Sequence, residues 1–407
     1  MKLCGIIAEF NPLTNGHNYI INQVKKQTGA NVAIIMSGSF TQRGELAILN
    51  KFTRAKHAIC SGADIVVELP ACFTLSSAPF FALGGVKILA SLGIDSLAFG
   101  VKIKDTNKLI EVAKLKSQED KKISNTIISF MRLGQNYSKA LYQTYKLLYP
   151  HLSCDLDTIF SEPNNILAIE YLSAIYSNGL DITPIFINRQ DGGYNSNRIC
   201  TVKIFGKKTK LVNATYIRSL IKSTKIRKIK KLVPSFVYDD IKKTKYQTES
   251  ETRLDALTIS KIRSLSDEDL MTFADFNTGL AHLTKQNATL LSTRKEICNA
   301  LSSKCYRPSR ISKLLLLPSL VIKKDFAKTL EKPYAINVLA VATNKRKMLS
   351  EIIASAKCDL IVSLSDLQNM NPEKGEFIRQ NQTASNLYNI CNKMPQTVDK
   401  TIFVSNN

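Results

Sequence analysis

The residues best placed to do chemistry sit near the start of the chain. Thr14-Asn15-Gly16-His17 lies between an apolar run, Leu3 to Ala8, and a helical pattern in which Tyr19, Ile20 and Val24 share one side. A buried strand, a short glycine-containing turn and a helix N-terminus together suit a phosphate. The N–H groups of the first helical turn lack partners there, and the helix dipole favours an anion. Gly16 lets the backbone approach such a group, and His17 and the Thr14 hydroxyl can each donate a hydrogen bond to it. Glu9 is placed either to orient the turn or to make a structural salt bridge.

Other residues fit the same task. Gly100 ends the apolar run Ser96-Leu97-Ala98-Phe99, where a side chain would block a ligand; an ordinary turn glycine is the plainer alternative. Asn164 and Asn165 follow Pro163 at a helix start, one read as the N-cap and the other left to contact a base or ribose. Arg189 closes a strand and suits a phosphate, or is a solvated surface residue. Thr215 and Arg218, in Asn213-Ala-Thr-Tyr-Ile-Arg218, put an arginine beside a second helix N-terminus. Arg43 and Lys51 follow the second strand. His57, on an apolar-sided helix, reads as packing.

The elements that must position these residues follow from the hydrophobic pattern. Leu3 to Ala8, Asn31 to Met36, Ile65 to Leu69 and Ser96 to Phe99 are strand-length apolar runs separated by helical stretches. Repeated β-then-α units indicate a parallel sheet covered on both faces, with ligands at the C-terminal strand ends. Residues 105 to 149 read as polar helices, and Asp181 to Asn188 as a fifth strand. Composition shifts near residue 221, and the stretch to Leu317 reads as mainly helical. Short strands return at Ala335 to Val341 and Leu360 to Ser363; the last twenty residues are weakly patterned. The expected fold is α/β: a Rossmann-like parallel-sheet domain over 1–220, then a mainly helical basic domain over 221–407 with a small α/β end.

Composition narrows the class. The 56 basic residues against 33 acidic ones leave a net charge of +23, a field that attracts polyanions unless it only reflects a general lysine bias. Nine scattered cysteines without a CxxC pair read as reduced thiols, and no metal site is expected. No run reaches the roughly 18 apolar residues of a membrane span, and the N-terminus does not read as a signal peptide. A cytoplasmic location is expected.

Several ordered motifs then carry a resemblance. Thr14-x-Gly16-His17 fits the [TH]xGH signature of the nucleotidyltransferase superfamily. Gly5 to His17 (GIIAEFNPLTNGH), Met36 to Glu45 (MSGSFTQRGE), Gly62 to Pro70 (GADIVVELP) and Pro163 to Leu167 (PNNIL) resemble segments of the bacterial tRNA(Met) cytidine acetate ligase family. Ser303 to Ile311 is similar to a later basic segment of that family. The family's first motif histidine is Thr14 here, as elsewhere in the superfamily.

The resemblance implies an HUP-type fold and an ATP-dependent ligase. Acetate would attack the α-phosphorus of ATP to give acetyl-adenylate and pyrophosphate. N4 of the wobble cytidine of elongator tRNA(Met) would then take the acetyl group and release AMP. His17 and Thr14 would be catalytic, with the imidazole stabilising charge that develops on the α-phosphate. The ATP site would comprise Ile7, Ala8, Glu9, Phe10, Asn11, Pro12, Leu13, Thr14, Asn15, Gly16, His17, Asn18, Tyr19 and Ile20, joined by Gly100, Asn164, Asn165, Arg189 and Gln190. Magnesium is expected with ATP. Arg43 and Lys51 would face tRNA or pyrophosphate. A basic helix with Lys222, Lys225, Arg227, Lys228, Lys230 and Lys231 would contact tRNA phosphates, or is a solvated face. The alternatives are a small-molecule adenylyltransferase of the same fold and a non-catalytic tRNA-binding protein.

Overall fold

The apolar runs at the start of the chain form the middle of one sheet in the computed structural model, which describes residues 1–118, 121–189, 199–204, 206–244, 249–303, 306–396 and 400–405. β1 (Leu3–Ala8) pairs in parallel with β2 (Asn31–Ser37), from Leu3 opposite Asn31 to Ala8 opposite Met36. β3 (Ile65–Leu69) joins β2, while β4 (Ser96–Val101) and β5 (Thr183–Asn188) extend the other side, all in parallel. β2 and β3 are buried almost throughout, which is why they read as continuous apolar runs.

Parallel strands need crossovers, and helices supply them. α1 (Asn15–Thr28) follows β1, α2 (Lys51–Cys60) follows β2, and α3 (Ala71–Thr74) with α4 (Ala78–Ser91) follows β3. Between β4 and β5 come α5 (Asn107–Ser117), α6 (Lys121–Arg132), α7 (Tyr137–Leu148), α8 (Ser153–Ser161) and α9 (Pro163–Ser177). A separate hairpin, β6 (Cys200–Ile204) and β7 (Lys207–Leu211), leads into α10 (Ala214–Lys222).

The expected helical region is present as α11 (Ser235–Lys243), α12 (Glu249–Arg263), α13 (Asp267–Met271), α14 (Thr278–Leu290), α15 (Arg294–Leu301) and α16 (Pro308–Leu316). The chain closes with β8 (Ala335–Ala342), α17 (Arg346–Ser355), β9 (Asp359–Ile361), α18 (Leu364–Asn369), α19 (Glu376–Cys391) and β10 (Ile402–Val404).

This ending corrects the expected domain division. The sheet order is β10-β8-β3-β2-β1-β4-β5, with β9 on β8, and β8 runs antiparallel to β3. The α/β end is therefore an edge of the main sheet, not a small unit of its own. Residue 220 is not a break in packing either. Leu220 shares an apolar core with Ile6, Val32 and Ala55 before it and with Ile229 and Val237 after it. Apolar burial follows strand neighbours, which chain order does not reveal.

Candidate active site

β1 lies between β2 and β4, so the crossovers on its two sides leave in opposite directions and a crevice opens at its C-terminal end. A cleft of about 210 Å³ occupies that place. Its walls come from the end of β1, from His17 and Ile20 of α1, from Gly100 of β4, from Asn164 of α9, and from Arg189 and Arg218.

Thr14 is the N-cap of α1, with extended backbone, and His17 is the third helical residue. The His17 N–H donates to Thr14 Oγ1 at 3.3 Å, and the Thr14 N–H donates to His17 Nδ1 at 3.1 Å. This reciprocal capping box satisfies one orphan amide and orients the ring. Since Nδ1 accepts, the hydrogen-bond network assigns the proton of the neutral imidazole to Nε2. Phe10, at φ 47°, sets its ring against the imidazole edge, with centroids 5.2 Å apart. Thr14 is only 4% exposed and does not line the cleft. It positions His17. A Cβ on Gly16 would meet only the Thr14 hydroxyl, at 3.5 Å, so protein packing does not require glycine there.

The end of β1 is held by a buried cation. Arg54 of α2 donates to the carbonyls of Leu49 (3.0 Å), Glu9 (2.6 Å), Ser37 (3.0 Å) and Gly38. Burial pulls its pKa down to about 10, which leaves it charged at neutral pH. Glu9 Oε1 accepts the Gln42 N–H at 2.5 Å, and Gln42 lines the cleft, so Glu9 orients a neighbouring loop. Asn11 Oδ1 accepts the Ile48 N–H at 2.8 Å, and its carbonyl accepts from Arg218 Nη1 at 3.1 Å. Lys51 departs from expectation. It is 3% exposed, ion-paired to Glu68 at 2.9 Å and outside the lining of this cleft. Arg43 is half-buried and outside the cleft lining.

The asparagine pair divides differently from the sequence reading. Neither residue is the N-cap, because Pro163 starts α9 and Glu162 occupies that position. Asn165 is fully buried; its Oδ1 accepts the Lys102 N–H (2.8 Å) and its Nδ2 donates to the Lys102 carbonyl (3.2 Å). It ties α9 to the end of β4 and is a positioning residue. Asn164 faces the cleft and accepts from Arg189 Nη1 at 3.4 Å. A Cβ on Gly100 would stand 3.1 and 3.2 Å from Arg189 Cγ and Cδ, so this glycine makes room for the arginine. Gln190 lies outside the described residues.

A second helix start meets the cleft from α10. Asn213 caps it, accepting the Tyr216 N–H at 2.8 Å, and Ala214 and Arg218 line the cleft. Arg218 Nη2 donates to Thr215 Oγ1 at 3.1 Å. Burial lowers the Arg218 pKa, and Glu45 opposes that shift. Two helix N-termini, one imidazole and two guanidinium groups thus share one small cleft, an arrangement suited to a polyphosphate. Glu9 is its acidic lining residue, and the described residues contain no group of three or more His, Cys, Asp or Glu able to hold a metal ion.

The basic stretch is not the expected helix. α10 ends at Lys222, and the chain continues through a short 3-10 turn at Ile226–Ile229 whose Ile229 is buried. Lys222, Lys225, Arg227, Lys228, Lys230 and Lys231 are all exposed. Asn15 Nδ2 donates to the carbonyls of Lys231 and Lys210, both at 3.0 Å, which docks this surface onto the start of α1.

Residues 1–401 match a family model described as HIGH Nucleotidyl Transferase. The tRNA(Met) cytidine acetate ligase of Acetivibrio thermocellus is 30% identical over 405 residues, covering 97% of this chain and 96% of that one. This chain belongs to the tRNA(Met) cytidine acetate ligase family. The protein of that name from Caldanaerobacter subterraneus is also 30% identical, over 97% and 96% of the two chains. Two solved structures of Thermotoga maritima TmcAL, one apo and one bound with alpha-thio ATP, align over 100% of both chains at 22% identity. Their TM-scores are 0.88 and 0.85, which places this fold with theirs.

For this family member, the motif reading found the polar groups of the cleft and its apolar residues Ile7, Ala8, Phe10 and Ile20, and missed the rest of the apolar wall. Phe81, Phe99, Leu167 and Tyr171 line it without having been singled out. Tyr171 and Leu167 differ by four positions on α9, a helical spacing that only the neighbouring β4 turns into a site. Conversely, Pro12, Leu13, Asn15, Gly16, Asn18 and Tyr19 belong, like Thr14, to the motif segment but not to the lining. Leu13 is core, and Asn18 Oδ1 accepts from Asn22 at 3.2 Å.

Proposed function

We propose that this enzyme uses ATP to activate acetate and acetylates N4 of the wobble cytidine of elongator tRNA(Met). The observation that carries this reading is the convergence of His17, Arg189, Arg218 and two helix N-termini at the β1–β4 crevice. An acetate oxygen attacks the α-phosphorus and pyrophosphate leaves. Charge grows on the α-phosphate oxygens in that step, and His17 Nε2–H is the donor suited to it. Arg218 and Arg189 suit the departing phosphates. The cytidine amine then attacks the acetyl carbonyl, expels AMP and loses a proton.

Thr14 serves this chemistry by holding the imidazole. Magnesium arriving with ATP would be held by phosphate oxygens and water, since the single carboxylate of Glu9, already accepting from Gln42, does not make a protein-built cation site. The exposed cations from Lys222 to Lys231, docked beside α1, support phosphate contact with the tRNA. No helix among the described residues is long and apolar enough to cross a membrane. A tRNA substrate assigns the work to the cytoplasm. The test is ATP–pyrophosphate exchange with and without acetate, followed by nucleoside mass spectrometry of elongator tRNA(Met). Acetate-dependent exchange and new N4-acetylcytidine are expected. Exchange indifferent to acetate would assign the cleft to another acceptor.

A further inference from the structure

A second cleft, of about 350 Å³, lies where the start of α2, one face of α19 and the approach to β10 meet. The loop after β2 joins it to the first: Ser39 lines this cleft, and Gln42, three residues on, lines the other. Its inner wall is unusually polar for its burial. Ser385, Tyr388 and Asn389 of α19 face it at the i, i+3, i+4 spacing of one helical face, only 7%, 4% and 6% exposed. The Ser385 Oγ is buried with no hydrogen-bond partner. Neither the Tyr388 hydroxyl nor the Asn389 amide bonds to another side chain or backbone group among the described residues. Burial pushes the Tyr388 pKa up to about 12, so its hydroxyl remains a donor.

Native interiors seldom leave a buried hydroxyl unpaired, as Ser385 Oγ is, and a polar helix face lining a cavity suits a ligand that supplies partners. The rim adds charge of one sign. Lys56 and Lys400 are exposed there, and residues 50 to 53, the cap and first turn of α2, present a helix N-terminus. Phe52 adds an aromatic ring. Hydroxyl, phenol and amide groups suit the edge of a base, aromatic rings suit its face, and the lysines with a helix start suit a phosphate.

We propose that this cleft holds a single nucleotide unit of the RNA strand that the enzyme modifies, base inward against α19 and phosphate outward on the α2 N-terminus. The RNA partner rests on the function proposed above; the cleft and its chemistry do not. A free nucleoside monophosphate carries the same groups, and the test separates the two sources.

Full-length protein is titrated with a fluorescein-labelled anticodon stem-loop RNA, read by anisotropy, for wild type, Asn389→Asp and Lys400→Glu. The first variant replaces an amide facing the base with a carboxylate; the second alters an exposed residue, so its folding is not at issue. Each is expected to weaken RNA binding about tenfold, with ATP affinity and pyrophosphate exchange unchanged. Unchanged RNA affinity in Lys400→Glu and in a folded Asn389→Asp would overturn the proposal. Competition by cytidine 5′-monophosphate that both variants abolish would support the cleft with a free nucleotide as occupant; competition by RNA alone would support it with the strand. Absence of exchange in the wild type sinks the earlier reading and leaves this binding measurement to decide on its own.

Discussion

His17 differs from an ordinary capping histidine in what its cap leaves it able to do. Because Nδ1 accepts the Thr14 N–H, the ring proton sits on Nε2, so one local bond fixes both orientation and tautomer. His17→Ala is therefore expected to lower the rate of pyrophosphate exchange by about 100-fold. ATP affinity measured by titration should fall much less, because the imidazole acts on charge that develops during the step. Gly100 makes a second prediction at this scale. Its missing Cβ gives Arg189 room, so Gly100→Ala must push the Cγ and Cδ atoms that would lie 3.1 and 3.2 Å away. The expected outcome is a rise of roughly threefold to tenfold in KM for ATP, with an unchanged melting temperature.

At the scale of elements, the site depends on groups that never touch a ligand. Arg54 of α2 joins the ends of β1 and β2 through the carbonyls of Glu9, Ser37 and Gly38 while also holding that of Leu49, and no neutral side chain reproduces that geometry. Arg54→Met should destabilise the protein by roughly 3–5 kcal/mol in urea unfolding, because it leaves buried carbonyls unpaired. α16 is held differently. Gly44, at φ 71°, passes beneath the Ser312–Lys313 backbone, and Lys313 Nζ donates to the Ser76 carbonyl at 2.5 Å. Burial pulls the Lys313 pKa down to about 8. The unfolded chain then binds more protons than the folded one between about pH 8 and the ordinary lysine range near 10.4, so stability rises with pH there. Melting temperatures from pH 8 to 10 should climb more steeply for wild type than for Lys313→Met.

The whole molecule depends on a sheet that its two chain halves share. β8 is buried at every position and covers the edge of β3, which is itself fully buried. A chain ended after Glu331 would expose that apolar strand edge to pairing with other chains. It should express as aggregate, while the full chain stays in the supernatant; a soluble, monomeric 1–331 fragment on gel filtration would contradict this. The same shared packing places the cations of 222–231 beside the start of α1. Leu232 accepts the Asn15 N–H at 3.3 Å through its carbonyl, so a surface from the middle of the chain borders a motif from its start.

What the sequence determined by itself is local. The five parallel strands, the α1 cap and the phosphate-suited turn follow from hydrophobic period, glycine position and a polar residue before a helix, each acting over fewer than about eight neighbours. Asn11, His17, Gly100, Asn164, Arg189 and Arg218 were all legible in that way. Tertiary structure decided what depends on pairing between distant segments. β10 is three residues long, too short to carry a period, and is a strand because β8 lies beside it. Lys51 read as a contact to tRNA or pyrophosphate and is a buried partner of Glu68, because β3 brings that carboxylate under α2. Asn165 and Asn164 look equivalent in sequence, and only the approach of β4 buries one and leaves the other in the cleft. Chain-local signals select the elements; burial and hydrogen-bond satisfaction between elements select which of their polar residues remain available for chemistry.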